Sequence, residues 1–204
     1  DGNTFRNTLI DGAISHGATY IEGVATIQDE HTIQINGDSL TADHIVLANG
    51  VWMRDTLASL GIKTNFHMQK GQLIHVQFPH IKTNEFPMIN IPSDPYIVPF
   101  PDGHIVIGAT REDDVPMDAN HSLQAIFELL EKTFTFAPGF KSCRLLDIKT
   151  GFRPYTPSFI PAFGTIPTKE SMFFVNGLGS SGLTTGPYIG KTIASMILQE
   201  AIHI

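Results

Sequence analysis

Phe173-Phe174-Val175-Asn176-Gly177-Leu178-Gly179-Ser180-Ser181-Gly182-Leu183-Thr184-Thr185-Gly186-Pro187 is a glycine-rich turn between an apolar run of strand character and a second run of helical spacing. It holds a literal G-x-G-x-x-G, from Gly177 to Gly182. In a dinucleotide-binding βαβ unit that pattern follows the first strand, and a later strand ends on an acidic residue roughly 20 residues on, which takes the ribose. Here only a helix follows before Ile204, and Glu200 reads as part of that helix. The turn is therefore not the opening of a dinucleotide fold. It does gather backbone N–H groups, Ser and Thr hydroxyls and a helix N-terminus, which together favour partial negative charge. A connection that only lets two backbones approach closely leaves the same trace, so both readings stand at this point.

On the C-terminal side, Ile189, Ile193, Met196 and Ile197 share one helix face. On the N-terminal side, Gly151-Phe152-Arg153-Pro154 follows a strand near Leu145 to Lys149, and Leu123, Ile126, Phe127 and Leu130 mark an amphipathic helix. Tyr96-Ile97-Val98-Pro99 pairs with His104-Ile105-Val106-Ile107 across Asp102-Gly103, and Gln72 to Phe78 reads as a strand. Before Lys63 the texture differs. Phe5, Leu9, Ile10, Ala13 and Ile14 recur at helical spacing, and Gly17 stands where a helix C-terminus takes a left-handed residue. A strand through Thr19-Tyr20-Ile21 is expected next, then a hairpin in which Asn36-Gly37 separates Thr32–Ile35 from Ser39–Thr41. His44-Ile45-Val46-Leu47 is a fully apolar strand running into Ala48-Asn49-Gly50, and Trp52 to Leu60 reads as a short helix closed by Gly61. The expected organisation is two bodies, one from residues 1–62 and 151–204 and one from residues 63–150.

With 13 basic and 20 acidic residues the net charge is −7, and no basic run is present to neutralise a phosphate backbone, which argues against a nucleic-acid partner. No apolar run approaches the ~20 residues of a membrane span. Cys143 is the single cysteine and can form no internal disulfide, so a cytoplasmic location is expected and no function is assigned to the thiol. The nine histidines are scattered without H-E-x-x-H or a tight acidic cluster, so no metal site is expected. Gly179-Ser180-Ser181-Gly182 fits G-x-S-x-G in neither register, which removes the hydrolase motif. Arg153 reads either as a surface ion pair or as a planar clamp for a carboxylate. Lys70, in Lys70-Gly71-Gln72, reads as a solvated lysine beside a turn glycine.

Four of these segments, in this order and spacing, resemble the D-amino acid oxidase-type FAD-dependent oxidoreductases, a group that includes glycine oxidase, sarcosine oxidase and D-amino acid dehydrogenase. They are the helix and strand ending in Gly23-Val24, residues 42–52 (Ala-Asp-His-Ile-Val-Leu-Ala-Asn-Gly-Val-Trp), Gly151-Phe152-Arg153-Pro154 through Pro161, and Gly177 to Gly190. The resemblance implies an α/β (α+β) architecture: a partial FAD-binding body plus a largely antiparallel β-sheet substrate domain with flanking helices. It implies that Val24 meets the adenine end of non-covalent FAD, and that Ala48, Gly50 and Trp52 lie along the nucleotide. It places Gly179, Ser180, Ser181, Gly182, Leu183 and Thr184 at the flavin ring, where a helix N-terminus stabilises negative charge. It makes Arg153 the clamp for the substrate carboxylate.

Two departures from the family pattern bear on these expectations. The R-P-x-x-P-D stretch ends here in Ser158, so a local charge contact is missing. The βαβ unit that grips the ADP half of FAD is absent from the sequence, which also begins at Asp1 without an initiator methionine. A fragment is therefore expected, with FAD weak or absent in this chain alone. Its implied partners are a small amine or amino acid and the missing N-terminal part of its own chain. The expected parent reaction is oxidation of the C–N bond of an amino acid or secondary amine by hydride transfer to flavin. Oxidation of a hydroxy acid and a cofactor-free binding module on the same fold are the alternatives.

Overall fold

The computed structural model describes residues 1–92 and 95–200. It divides into two compact units, Asp1–His67 with Pro154–Ile204, and Met68–Arg153. The chain leaves unit 1 at the first residue of one long strand and returns near the end of another.

Unit 1 opens with helix α1 (Gly2–Ser15), which Asp1 caps by accepting from the Thr4 N–H at 2.8 Å. Gly17, at φ 97°, ends it in the left-handed conformation that favours glycine. Strands β1 (Ala25–Ile27), β2 (Thr32–Ile35) and β3 (Asp38–Thr41) form an antiparallel sheet. Asn36 and Gly37, at φ 54° and 95°, make its hairpin turn with both central residues at positive φ. The expected strand through Thr19-Tyr20-Ile21 does not form; these residues pair with no sheet. Near them, the Glu22 carbonyl accepts from the Asn36 side-chain amide at 2.8 Å, and regular pairing begins only at Ala25.

The second sheet of unit 1 positions the glycine turn. Strand β4 (Ile45–Leu47) is followed by a 3-10 turn (Gly50–Trp52) and helix α2 (Met53–Ser59), which Gly61 closes at φ 78°. Later in the chain, β10 (Ala162–Ile166) pairs antiparallel with β11 (Lys169–Asn176), and β11 pairs parallel with β4. Alternation along β11 divides the core. Met172 and Phe174 join Ile45, Leu47, Met53 and Leu57 in one cluster, while Phe173 and Val175 join Ile189, Ile193, Met196 and Ile197 in another. The last four of these belong to helix α4 (Gly182–Ile197), which lies along that face. Glu200 is not part of the helix, contrary to its sequence reading. Leu198 caps the end, Gln199 turns to φ 56°, and the Glu200 N–H reaches back to the Ser195 carbonyl at 2.9 Å.

Unit 2 is built on a five-stranded sheet in the order β6 (Ile89–Asn90), β7 (Tyr96–Pro99), β8 (His104–Gly108), β5 (His67–Gln77), β9 (Arg144–Tyr155). The pairs β6/β7, β7/β8 and β5/β8 are antiparallel. Helix α3 (Leu123–Phe136), capped by the Ser122 hydroxyl, brings Leu129 to a core of Ile74, Val76, Ile91, Ile97, Ile105 and Ile107. Strand β9 is longer than its sequence reading and carries Gly151-Phe152-Arg153-Pro154 inside it. Among the described residues no helix is long and apolar enough to cross a membrane.

Candidate cofactor and substrate sites

Because β4 and β11 run parallel, their C-terminal ends emerge side by side, the edge at which open α/β sheets bind ligands. Asn49-Gly50 leaves β4 there and Gly177 to Gly182 leaves β11. Asn176 ties the two turns: its Nδ2 donates to the Gly50 carbonyl at 2.7 Å, and its Oδ1 accepts from the Gly177 N–H at 2.7 Å. Gly50, Gly177 and Gly179 all stand at positive φ, 58°, 76° and 52°. A Cβ at Gly179 would run into the Tyr155 ring at Cε1, so only glycine fits there. The Tyr155 ring in turn stacks on His67, with centroids 6.0 Å apart, and tilts against Phe159.

No side chain caps the N-terminus of α4. The hydroxyls expected to face a ligand are partly committed, since Thr184 and Thr185 Oγ1 each donate to the Ser181 carbonyl at 2.9 Å. Their protons serve the first turn, and only acceptor capacity remains. Ser180, Ser181, Leu183 and Thr184 are exposed, and Gly179 and Gly182 are half-buried.

These residues fit the polar parts of a flavin nucleotide. Asn49 Oδ1 is buried and has no hydrogen-bond partner among the described residues. The Thr56 hydroxyl gives its proton to the Trp52 carbonyl at 3.1 Å, so it must accept from Asn49 Nδ2, leaving Asn49 Oδ1 as a free acceptor beside Gly50. An orphan acceptor next to a glycine turn at positive φ suits a ligand hydroxyl or N–H. The other expected positions are open: Val24 is 83 % exposed before β1, Trp52 is 60 % exposed at the end of its 3-10 turn, and Ala48 is exposed after β4. Among the described residues the structure links Gly50 to Gly177, whereas Val24 lies on a separate segment. Asn49, Asn176 and Tyr155 were not singled out by sequence. The Asn-Gly pairs at 49–50 and 176–177 were the available signal.

In unit 2, Arg153 is half-buried and forms no ion pair among the described residues. Its Nη1 donates to Gln69 Oε1 and to the Thr110 carbonyl, each at 3.1 Å. The reading of Lys70 as solvated beside a turn glycine is corrected. Lys70 is 6 % exposed inside β5, exchanges main-chain hydrogen bonds with Glu112, and donates from Nζ to the Asn120 carbonyl at 2.8 Å. Gly71 is no turn; it lies in the same strand against the Arg153 guanidinium. Gln72, fully buried, donates from Nε2 to Glu112 Oε1 at 2.9 Å and accepts from the Ser122 N–H at 3.0 Å, which extends this polar layer. Cys143 is half-buried in the apolar core, and burial pushes its thiol up to about 11. Among the described residues no three His, Cys, Asp or Glu side chains gather as metal ligands.

The family model described as FAD dependent oxidoreductase matches residues 2–196. The chain is 34 % identical over 209 residues to a protein of Bacillus subtilis (strain 168) named uncharacterized oxidoreductase YurR, covering 100 % of this chain and 56 % of that protein. It is 31 % identical over 164 residues to glycine oxidase of Bacillus licheniformis, covering 79 % of this chain and 42 % of the relative. The crystal structure of iminodiacetate oxidase (IdaA) from Chelativorans sp. BNC1 superposes with a TM-score of 0.88 at 32 % identity, over 94 % of this chain and 53 % of that one. The chain thus spans about half the length of the relatives it matches. With a family model matched over residues 2–196 and a shared fold, the chain belongs to the D-amino acid oxidase-type family of FAD-dependent oxidoreductases.

Proposed function

We propose that the protein to which this chain belongs oxidises the C–N bond of a small amino acid or secondary amine. The observation that carries the reading is Arg153, a half-buried guanidinium held by an amide oxygen and a main-chain carbonyl, with no carboxylate partner among the described residues. An unpaired cation of that kind is completed by an anionic ligand, and a guanidinium matches a carboxylate with two parallel hydrogen bonds. The names of the relatives, glycine oxidase and iminodiacetate oxidase, support an amine carrying a carboxylate over a hydroxy acid.

Gly50, Asn49 and residues Gly179 to Thr184 are the groups that would hold FAD, which when bound supplies the hydride acceptor. The chain's own contribution is placement and electrostatics. Asn176 fixes the spacing of the two turns, the uncapped first turn of α4 presents N–H donors to negative charge, and Arg153 orients the substrate through its carboxylate. No side-chain base is required, because a neutral amine releases hydride without prior proton abstraction.

The test begins with visible absorption of the protein expressed from its full natural reading frame, followed by assay with glycine and N-methylglycine against glycolate. Flavin bands and turnover of the amines are expected, with Arg153→Ala raising KM at least about tenfold through loss of charge-assisted hydrogen bonds. A folded protein without flavin, or turnover of glycolate alone, overturns the reading.

A further inference from the structure

We propose that Gln69 is a positioning residue that keeps the charge of Arg153 available and leaves it one open edge, so that unit 2 selects ligands presenting a single carboxylate to Nε and Nη2. The inference rests on the reading of Arg153 as a carboxylate clamp.

Both hydrogens of Arg153 Nη1 are committed, one to Gln69 Oε1 and one to the Thr110 carbonyl. Gln69 is 6 % exposed, and its Nε2 donates to Asp113 Oδ1 at 3.0 Å. With Asp113 Oδ1 as the acceptor, this bond fixes the amide with its oxygen towards the guanidinium. The nearest anchoring groups of Arg153 are thus neutral. They hold the side chain without cancelling its charge, whereas a carboxylate at position 69 would neutralise it from the Nη1 side.

Gly71 fixes the plane. A Cβ there would stand 2.8 Å from Nη2, 2.9 Å from Cζ and 2.9 Å from Nη1, and such nearly equal distances place it over the face of the guanidinium. With Nη1 bonded and one face against the backbone of β5, the Nε–H and Nη2–H groups have no partner among the described residues. They form the side-on fork that matches the two oxygens of one carboxylate.

The test uses the full-length, flavin-loaded protein and calorimetric binding of propionate beside propionamide, two probes of similar shape that differ in charge. Wild type is expected to prefer propionate, and Arg153→Ala to abolish that preference. Gln69→Glu is expected to lower propionate affinity about tenfold or more while propionamide is unaffected. Gln69→Met, which removes the acceptor without adding charge, is expected to lower the preference about threefold. If wild type shows no preference, the reading of Arg153 falls and this inference with it. If the preference depends on Arg153 but survives both Gln69 variants, only the role of Gln69 is overturned. A loss equal for both probes also overturns it, since that marks a general structural role. Should Gln69→Glu fail to fold, Gln69→Met decides alone: an unchanged preference refutes the proposal.

Discussion

The two units bury their strands differently. In unit 2, Ile74, Ile97, Ile105 and Ile107 are at most 2 % exposed, and the sheet closes its core with its own strands and with Leu129 of α3. In unit 1, α1 buries no residue at all, and β4 turns Ile45 and Leu47 inward while Val46 stays 43 % exposed. Its parallel neighbour β11 is covered on both faces. Parallel strands in α/β sheets are normally covered on both sides, so β11 meets the rule and β4 does not. The difference separates two jobs. Unit 2 holds Arg153 in a tightly packed frame, and unit 1 spends its exposed edge on glycine turns and an uncapped helix end.

Truncation of the packed side tests this contrast most strongly. Ile107→Ala should destabilise by about 2–5 kcal/mol, whereas Leu9→Ala on α1 should cost about 0.5 kcal/mol or less. Denaturant unfolding followed by circular dichroism measures both, and equal costs would erase the contrast. A smaller effect belongs to the turn. Gly179→Ala must place a methyl group into the Tyr155 ring at positive φ, so about 1–3 kcal/mol of local strain is expected, with visible flavin absorbance lost from the full-length protein. Retained absorbance would detach the turn from the cofactor.

The smallest effect is a pH dependence in unit 2. His75 Nδ1 lies 2.8 Å from His104 Nε2, the two rings stack, and Phe100 stacks on His104. Burial, and then the neighbouring His104 charge, lower His75 from its ordinary 6.5; Asp147 opposes this and Lys149 adds to it. The folded state therefore takes up fewer protons than the unfolded state just below pH 6.5. Stability should be full above that value and decline as pH falls through the lowered one. His75→Gln should flatten this slope in urea unfolding at a series of pH values, and an unaltered slope would assign it to other groups.

Local signals made much of the fold readable. Gly17, Gly61 and Asn36-Gly37 mark places where the backbone needs a left-handed residue, and the structure uses each of them. Thr19-Tyr20-Ile21 has strand composition but forms no ladder, because a strand also needs a partner. Lys70 failed for a related reason. A lysine next to a glycine resembles a solvated turn, and its burial depends on Glu112 and Asn120, far away in sequence.

The sequence alone determined the helices, the hairpin, the glycine turn and the family resemblance, because spacing, capping and positive-φ residues act over a few neighbours. Only the tertiary structure decided that Asn176 joins two turns 126 residues apart, that Asn49 keeps an acceptor unpaired among the described residues, and that Gln69, 84 residues from Arg153, frames it together with Gly71. Those contacts depend on β4 lying beside β11 and β5 beside β9, and strand pairing over such separations leaves no periodic trace in the chain.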